Sequence, residues 1–226
     1  LPALEWMLFA TDNQPAPIAR SANHCKFAIR LARGVVAETS TLLVEWRAAA
    51  ELWRSATPPD IQKARHVLLN LMVGNAELLR GRKLDKAAKA QELQSKDKRD
   101  QSWDAFDSMR SHNTRRFLVA HEEAVAQLML GQTPGLDYTK TGPRQGLDDV
   151  LIAENPKQGK AVAAALLSNL KAVHAALSAL PPDAHSWSVA RVATAVNALV
   201  KLRAVIDPPV AKMWKVSIEF TDADGD

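Results

Sequence analysis

The chain has 226 residues, 47% of them hydrophobic and 24% charged, which is enough for one large or two small domains with a real core. Its +4 formal charge and pI near 9.3 are a mild basic excess, short of a nucleic-acid signature. A single cysteine, Cys25, excludes an internal disulfide, and no apolar run approaches the ~20 residues that span a bilayer.

The first clear element is one long helix. Ala22, Cys25, Ile29, Ala32, Val36, Thr39, Leu43, Trp46, Ala50 and Trp53 follow a 3-4 spacing without a slip. That spacing predicts a single buried seam, polar only at Thr39, with Cys25 as an inert core thiol. Thr57-Pro58-Pro59 ends the helix, and Asp60 is placed to cap the next. The second helix is predicted from about Ile61 to Arg80, with Ala64, Leu68, Leu71, Met72, Leu78 and Leu79 inward. It fades into a basic stretch from Arg80 to Arg99, read either as a solvated helix end and loop or as a patch for an anionic surface. No aromatics interleave there to stack bases.

A third helix is predicted from Asn113 or Thr114 to Gly131, burying Phe117, Leu118, Val125 and Leu128. Residues 132–144, rich in Gly, Pro and Thr, read as loop. A short helix near Gly146 to Ala153 precedes a fifth from Lys157 to Leu180, whose stripe is Ala163, Leu166, Leu170, Val173, Leu177 and Leu180. Pro181-Pro182 breaks it. Asp183 or Ser186 caps a sixth, with stripe Val189, Val192, Val196, Leu199, Leu202 and Ile206, closed by Asp207-Pro208-Pro209. Only Val216 to Phe220 has any strand character. The fold class is therefore all-α: long antiparallel helices in two bundles, residues 1–100 and 101–226.

The opening segment contains a residue out of place. Glu5 lies in the apolar stretch Leu1 to Phe9, where an unpaired charge is costly, so a polar partner or a ligand is expected. Pro2 stands one turn earlier on the same helical face. The stretch resembles the His-x-x-Glu signature of the imelysin-like family, with Pro2 at the histidine position. Three further passages are similar to that family's pattern. They are Arg20-Ser21-Ala22 at the start of the long helix, Asp107 to Thr114 as its Glu-x-x-Arg-x-x-x-Ser region, and Phe220 to Asp226 as its Phe-x-x-x-Asp-Gly-Asp ending.

The resemblance implies a bacterial, exported protein of two helical bundles, periplasmic or tethered to the outer membrane, with a link to iron or haem acquisition. It also implies a peptidase name that rests on a metal held by the His-x-x-Glu pair, and Pro2 offers no lone pair to such a metal. Leu1 is not an initiator methionine, and the chain is expected to be a piece of a longer precursor.

The candidate ligand-site residues are Glu5 with Trp6 beside it, the Asp107, Arg110 and Ser111 group, and Asp222 and Asp224 near the C-terminus. Glu5 reads either as a structural anchor or as a group lining a polar cleft. Positions 107, 110 and 111 share a helical face, so Asp107 and Arg110 can pair, and a bridge from this region to Glu5 would join the bundles. The Asp222, Asp224, Asp226 trio has its glycine one position too early for a calcium loop and no glutamate after it. His121-Glu122-Glu123 is not a zincin motif, the other histidines have no ligand spacing, and no nucleophile elbow occurs. No catalytic or metal-ligating residue is assigned. The expected role is binding of an iron compound, haem, or a periplasmic or outer-membrane protein. The alternatives are a metallopeptidase with ligands from a preceding segment and a scaffold docking a protein partner.

Overall fold

The computed structural model describes residues 2–9, 16–54, 57–85, 111–131 and 146–218. Among the described residues every regular element is a helix. Helix α1 spans Pro2–Leu8 and α2 Ala22–Arg54, with a 3-10 turn at Pro17–Ala19 between them. Helix α3, Pro58–Glu77, widens into π turns over Leu78–Asp85. Then come α4 (Thr114–Leu130), α5 (Leu147–Glu154), α6 (Pro156–Ser178) and α7 (Val189–Val205). A kinked segment, Ile206–Val210, leads to the short α8, Ala211–Trp214.

The helix ends follow from local chemistry. Thr57, rather than Asp60, is the cap of α3; Asp60 reaches back so that its carboxylate accepts the Thr57 backbone N–H at 3.0 Å. Pro58 follows the cap, where no N–H is needed. Helix α4 stops at Gly131, whose φ of 61° is left-handed. The Asn155 side chain accepts from the Gln158 N–H at 3.1 Å to start α6. Ser188 does the same for α7 through the Arg191 N–H at 3.3 Å, in place of Asp183 or Ser186.

Helix α6 is the centre of the core. It packs against α4, α5 and α7, and its stripe Ala163, Leu166, Leu170, Val173, Leu177 with Leu180 beyond it is buried throughout, as the spacing predicts. By length and composition α6 is also apolar enough to cross a membrane, but this burial accounts for its apolar character as a core helix. Leu69, Met72 and Val73 of α3, with Leu79 and Leu84 of the π turns, enter the same core as Leu118, Leu199, Leu202 and Trp214. The core thus runs across the expected boundary near residue 100, which itself lies outside the described residues.

Three expected inward positions face outward: Leu71 of α3, Leu128 of α4 and Val189 of α7. Each belongs to a consecutive apolar run or a first helical turn, where periodicity does not choose the buried phase. Leu69, Met129, Leu130 and Val192 are buried instead. Val216–Ile218 forms no strand, and the rest of that segment and the 132–144 loop lie outside the described residues.

The long helix departs furthest from expectation. Its span is as predicted, but its seam is not buried: Ile29 is 46% exposed, Val36 66% and Leu43 50%. Helix α1 and the Pro17–Ala19 turn pack against it, and Ala28 is its only fully buried apolar residue among those described. Cys25 is half-buried rather than enclosed.

Helices α5 and α6 approach so closely that a Cβ at Gly159 would stand 2.1 Å from the Leu151 carbonyl oxygen. Gly159→Ala is expected to lower unfolding stability by about 2–3 kcal/mol or more through overpacking against backbone. Gly74→Ala in α3, where nothing lies within 4 Å of the added methyl, is expected to raise it by roughly 0.5–1 kcal/mol through helix propensity. Urea unfolding of the two variants checks both signs.

Candidate functional site

Helix α1 is short, and its one charged side chain is Glu5. Met7 is buried, and the helix packs against α2 and the Pro17–Ala19 turn, while Trp6, Leu8 and Phe9 are exposed. Glu5 is half-buried, and its Oε1 accepts two hydrogen bonds from a single residue far along the chain. The Ser111 backbone N–H lies at 2.8 Å and the Ser111 hydroxyl at 2.7 Å. Both are charge-assisted, the stronger class of hydrogen bond. Ser111 sits in the turn entering α4, where the Asn113 side chain donates to the Ser111 carbonyl at 3.1 Å and His112 takes a left-handed φ of 55°.

Of the sequence-predicted residues, the structure brings Glu5 and Ser111 together and leaves Trp6 on the surface beside them. Asp107, Arg110, Asp222 and Asp224 lie outside the described residues. The geometry gives the Glu5 carboxylate a definite function: it ties α1 to the start of α4. Its Oε1 is occupied by hydrogen-bond donors.

A second polar cluster was not singled out by sequence reasoning. Glu122 of α4 is 2% exposed, and its Oε2 lies 2.9 Å from Nδ1 of His174 on α6. This is the distance of an imidazole N–H donating to a carboxylate. The available signal was Glu122 standing in the buried register Leu118, Glu122, Ala126 and Met129. One residue earlier, His121 lies 3.3 Å from the Asn75 side-chain oxygen, and its ring meets that of Phe117 at 4.7 Å between centroids, tilted by 46°. Desolvation, with the Lys83 charge as a second cause, holds the His121 imidazole below its ordinary 6.5.

A third feature is an open cleft of about 400 Å³ between α3 and the chain after α8. Lys63, His66 and Lys215 contribute its polar edge, and Gln62 closes one side by donating to the Trp214 carbonyl at 2.7 Å. Among the described residues no group of three or more His, Cys, Asp or Glu is placed to hold a metal ion. The pair at positions 2 and 5 does not fit a metal either, since proline supplies no donor and the Glu5 oxygen is engaged by Ser111.

The imelysin family model matches this chain over residues 1–206. No curated protein and no solved structure matches it.

Two outcomes follow from the geometry. Glu5→Ala leaves the Ser111 N–H and hydroxyl without their acceptor and is expected to cost about 1–3 kcal/mol, with faster hydrogen exchange at the Ser111 amide. Glu5→Gln, which keeps an acceptor oxygen, is expected to lose less. The His121 shift sets a pH dependence. With the folded value below 6.5, the unfolded chain takes up more protons through that window, so stability falls as pH drops and levels off below the folded value. Urea midpoints measured between about pH 7.5 and 5.5 should show this slope, and His121→Gln should flatten its share.

Proposed function

The chain belongs to the imelysin family, and from that premise we propose that it is an exported binding protein of bacterial iron or haem uptake, acting without peptide hydrolysis. The observation that carries the non-catalytic part is the state of the motif. The position of the metal-binding imidazole is Pro2, and the carboxylate one turn later holds the Ser111 N–H and hydroxyl. A zinc peptidase needs three protein ligands and an open coordination position. A hydrogen-bonded glutamate beside a proline supplies neither the ligand count nor the open position.

The iron or haem ligand and the periplasmic or outer-membrane location rest on the family resemblance alone. A ligand compatible with the described surface would carry anionic groups, because the cleft beside α3 presents Lys63 and Lys215. Haem propionates and carboxylate-bearing iron chelates both have that chemistry.

Titration of the purified chain with haemin, and separately with ferric citrate, is the direct test. Saturable binding of one of them is expected, shown by a shift of the haem absorption band or by retained iron. The double change Lys63→Ala, Lys215→Ala should weaken it about tenfold, equivalent to ~1.4 kcal/mol. Absence of binding by both compounds removes the uptake reading. Zinc-dependent cleavage of an unfolded protein substrate that disappears in Glu5→Ala would restore the peptidase reading instead.

A further inference from the structure

Asn75 of α3 grips His121 of α4 at two points. Its side-chain Nδ2 donates to the His121 carbonyl at 3.5 Å, and its Oδ1 lies 3.3 Å from Nδ1 of the ring. A carbonyl only accepts, so the NH2 end of the amide faces it and the oxygen faces the imidazole. Nδ1 therefore carries the proton, and the lone pair of the neutral ring is on Nε2. The ring is held below its ordinary 6.5, by burial first and by the Lys83 charge second, so that lone pair carries no proton at neutral pH.

Nε2 has no hydrogen-bond partner among the described residues. Of the buried side-chain nitrogens and oxygens described, Trp214 Nε1 alone lacks a partner, so the bare Nε2 opens to solvent. Two neighbours border the ring. Phe117 lies 4.7 Å from it between centroids, and the Lys83 ammonium stands 5.9 Å from the Phe117 centroid. An imidazole with one nitrogen tied to an amide oxygen and the other bare is in the form that ligates a metal.

The surroundings choose the kind of metal. Among the described residues no group of three or more His, Cys, Asp or Glu is placed to hold an ion, whereas a bare ion such as zinc takes four ligands. The Lys83 charge that opposes a proton on the ring opposes any other uncompensated cation there. A metal already wrapped in an anionic chelating ligand meets neither obstacle. It needs one donor from the protein, it brings compensating charge, and a planar ligand can lie along Phe117.

We propose that His121 binds chelated iron, with Nε2 filling the open coordination position on the metal and Lys83 and Phe117 beside the chelating ligand. A water in that position leaves as Nε2 enters, and no proton is released or taken up. This rests on the iron or haem reading above and adds a site to it. Lys63 and Asn75 stand twelve positions apart on α3, about 18 Å along its axis, so the site is separate from the cleft.

The test uses the full chain with haemin and ferric citrate as separate probes, which share this chemistry and differ in the chelating ligand. A nitrogen-ligated iron signature in absorption and electron spin resonance is expected with at least one of them. His121→Ala should remove it and free imidazole should restore it, with circular dichroism unchanged. Asn75→Leu should weaken binding about tenfold and move the His121 nitrogen-15 resonances toward a mixture of tautomers. The double change Lys63→Ala, Lys215→Ala should weaken only the share of binding that belongs to the cleft and leave the signature in place. A signature with haemin alone identifies a porphyrin as the cargo; one with ferric citrate alone identifies an open-chain chelate. The inference is overturned if the signature survives His121→Ala or if the ring of the unaltered chain carries its proton on Nε2. It is also overturned if bare nickel binds through His121 as tightly as the chelates. Iron retained through Lys63 and Lys215 and indifferent to His121 overturns it and leaves the uptake reading standing, whereas retention of neither compound removes both.

Discussion

Helix α6 is the element on which the rest of the fold is assembled. Its Leu166, Leu170, Val173 and Leu177 are fully buried, enclosed by α4, α5 and α7, and each such side chain contributes on the order of 1.5–3 kcal/mol by leaving water. The close approach of α5 depends on Gly159, where backbone stands in the place of a side chain. The pair of buried Glu122 and half-buried His174 links α4 and α6. The contact is polar and of fixed geometry, among apolar ones of adjustable geometry. That contact selects how α4 and α6 face each other more than it adds to stability.

The contrast between α2 and α6 shows what periodicity can and cannot convey. Both helices carry an unbroken 3-4 stripe, and both spans follow from sequence to within a few residues. One stripe is enclosed and the other is largely in water. Spacing determines which face of a helix is apolar; the presence of a neighbour is a property of the rest of the assembly. The same reasoning explains the smaller discrepancies. In Val67-Leu68-Leu69 and Leu128-Met129-Leu130 the apolar run goes nearly round the helix, so tertiary contacts chose the phase. At the ends of α3 and α7 the capping chemistry was visible, but the residue that caps was one of several Ser, Thr and Asp in range.

The candidate site was legible in one respect and hidden in another. A charge in the apolar stretch Leu1 to Phe9 demands a partner, and the serine that meets Glu5 lies in the region that the sequence pattern connected to it. Glu122 obeyed the same rule, since it occupies a core register position on α4. Its neighbours His121 and Glu123 are also charged or titratable, so it did not stand out as a lone charge in an apolar stretch. His174 had no distinguishing spacing because its partner lies 52 positions away in sequence. Long-range polar pairs leave a local trace only at the member that interrupts an apolar register.

The Glu5–Ser111 contact also accounts for a carboxylate standing where its metal-binding partner does not. A glutamate one turn after a histidine can serve a cation, and one turn after a proline it cannot be completed by its own helix. Here the carboxylate instead accepts hydrogen bonds from a main-chain N–H and a hydroxyl at the turn entering α4, 106 residues along the chain. Loss of the imidazole removes a ligand without removing a structural requirement for the acid. Substituting alanine at position 5 would leave two donors unsatisfied, whereas the proline at position 2 sits in the first turn of α1, where its missing N–H has no intrahelical acceptor to lose. The two positions of the motif thus carry different physical constraints: the first turn of a helix accommodates proline readily, and a half-buried bridge does not readily give up its acceptor.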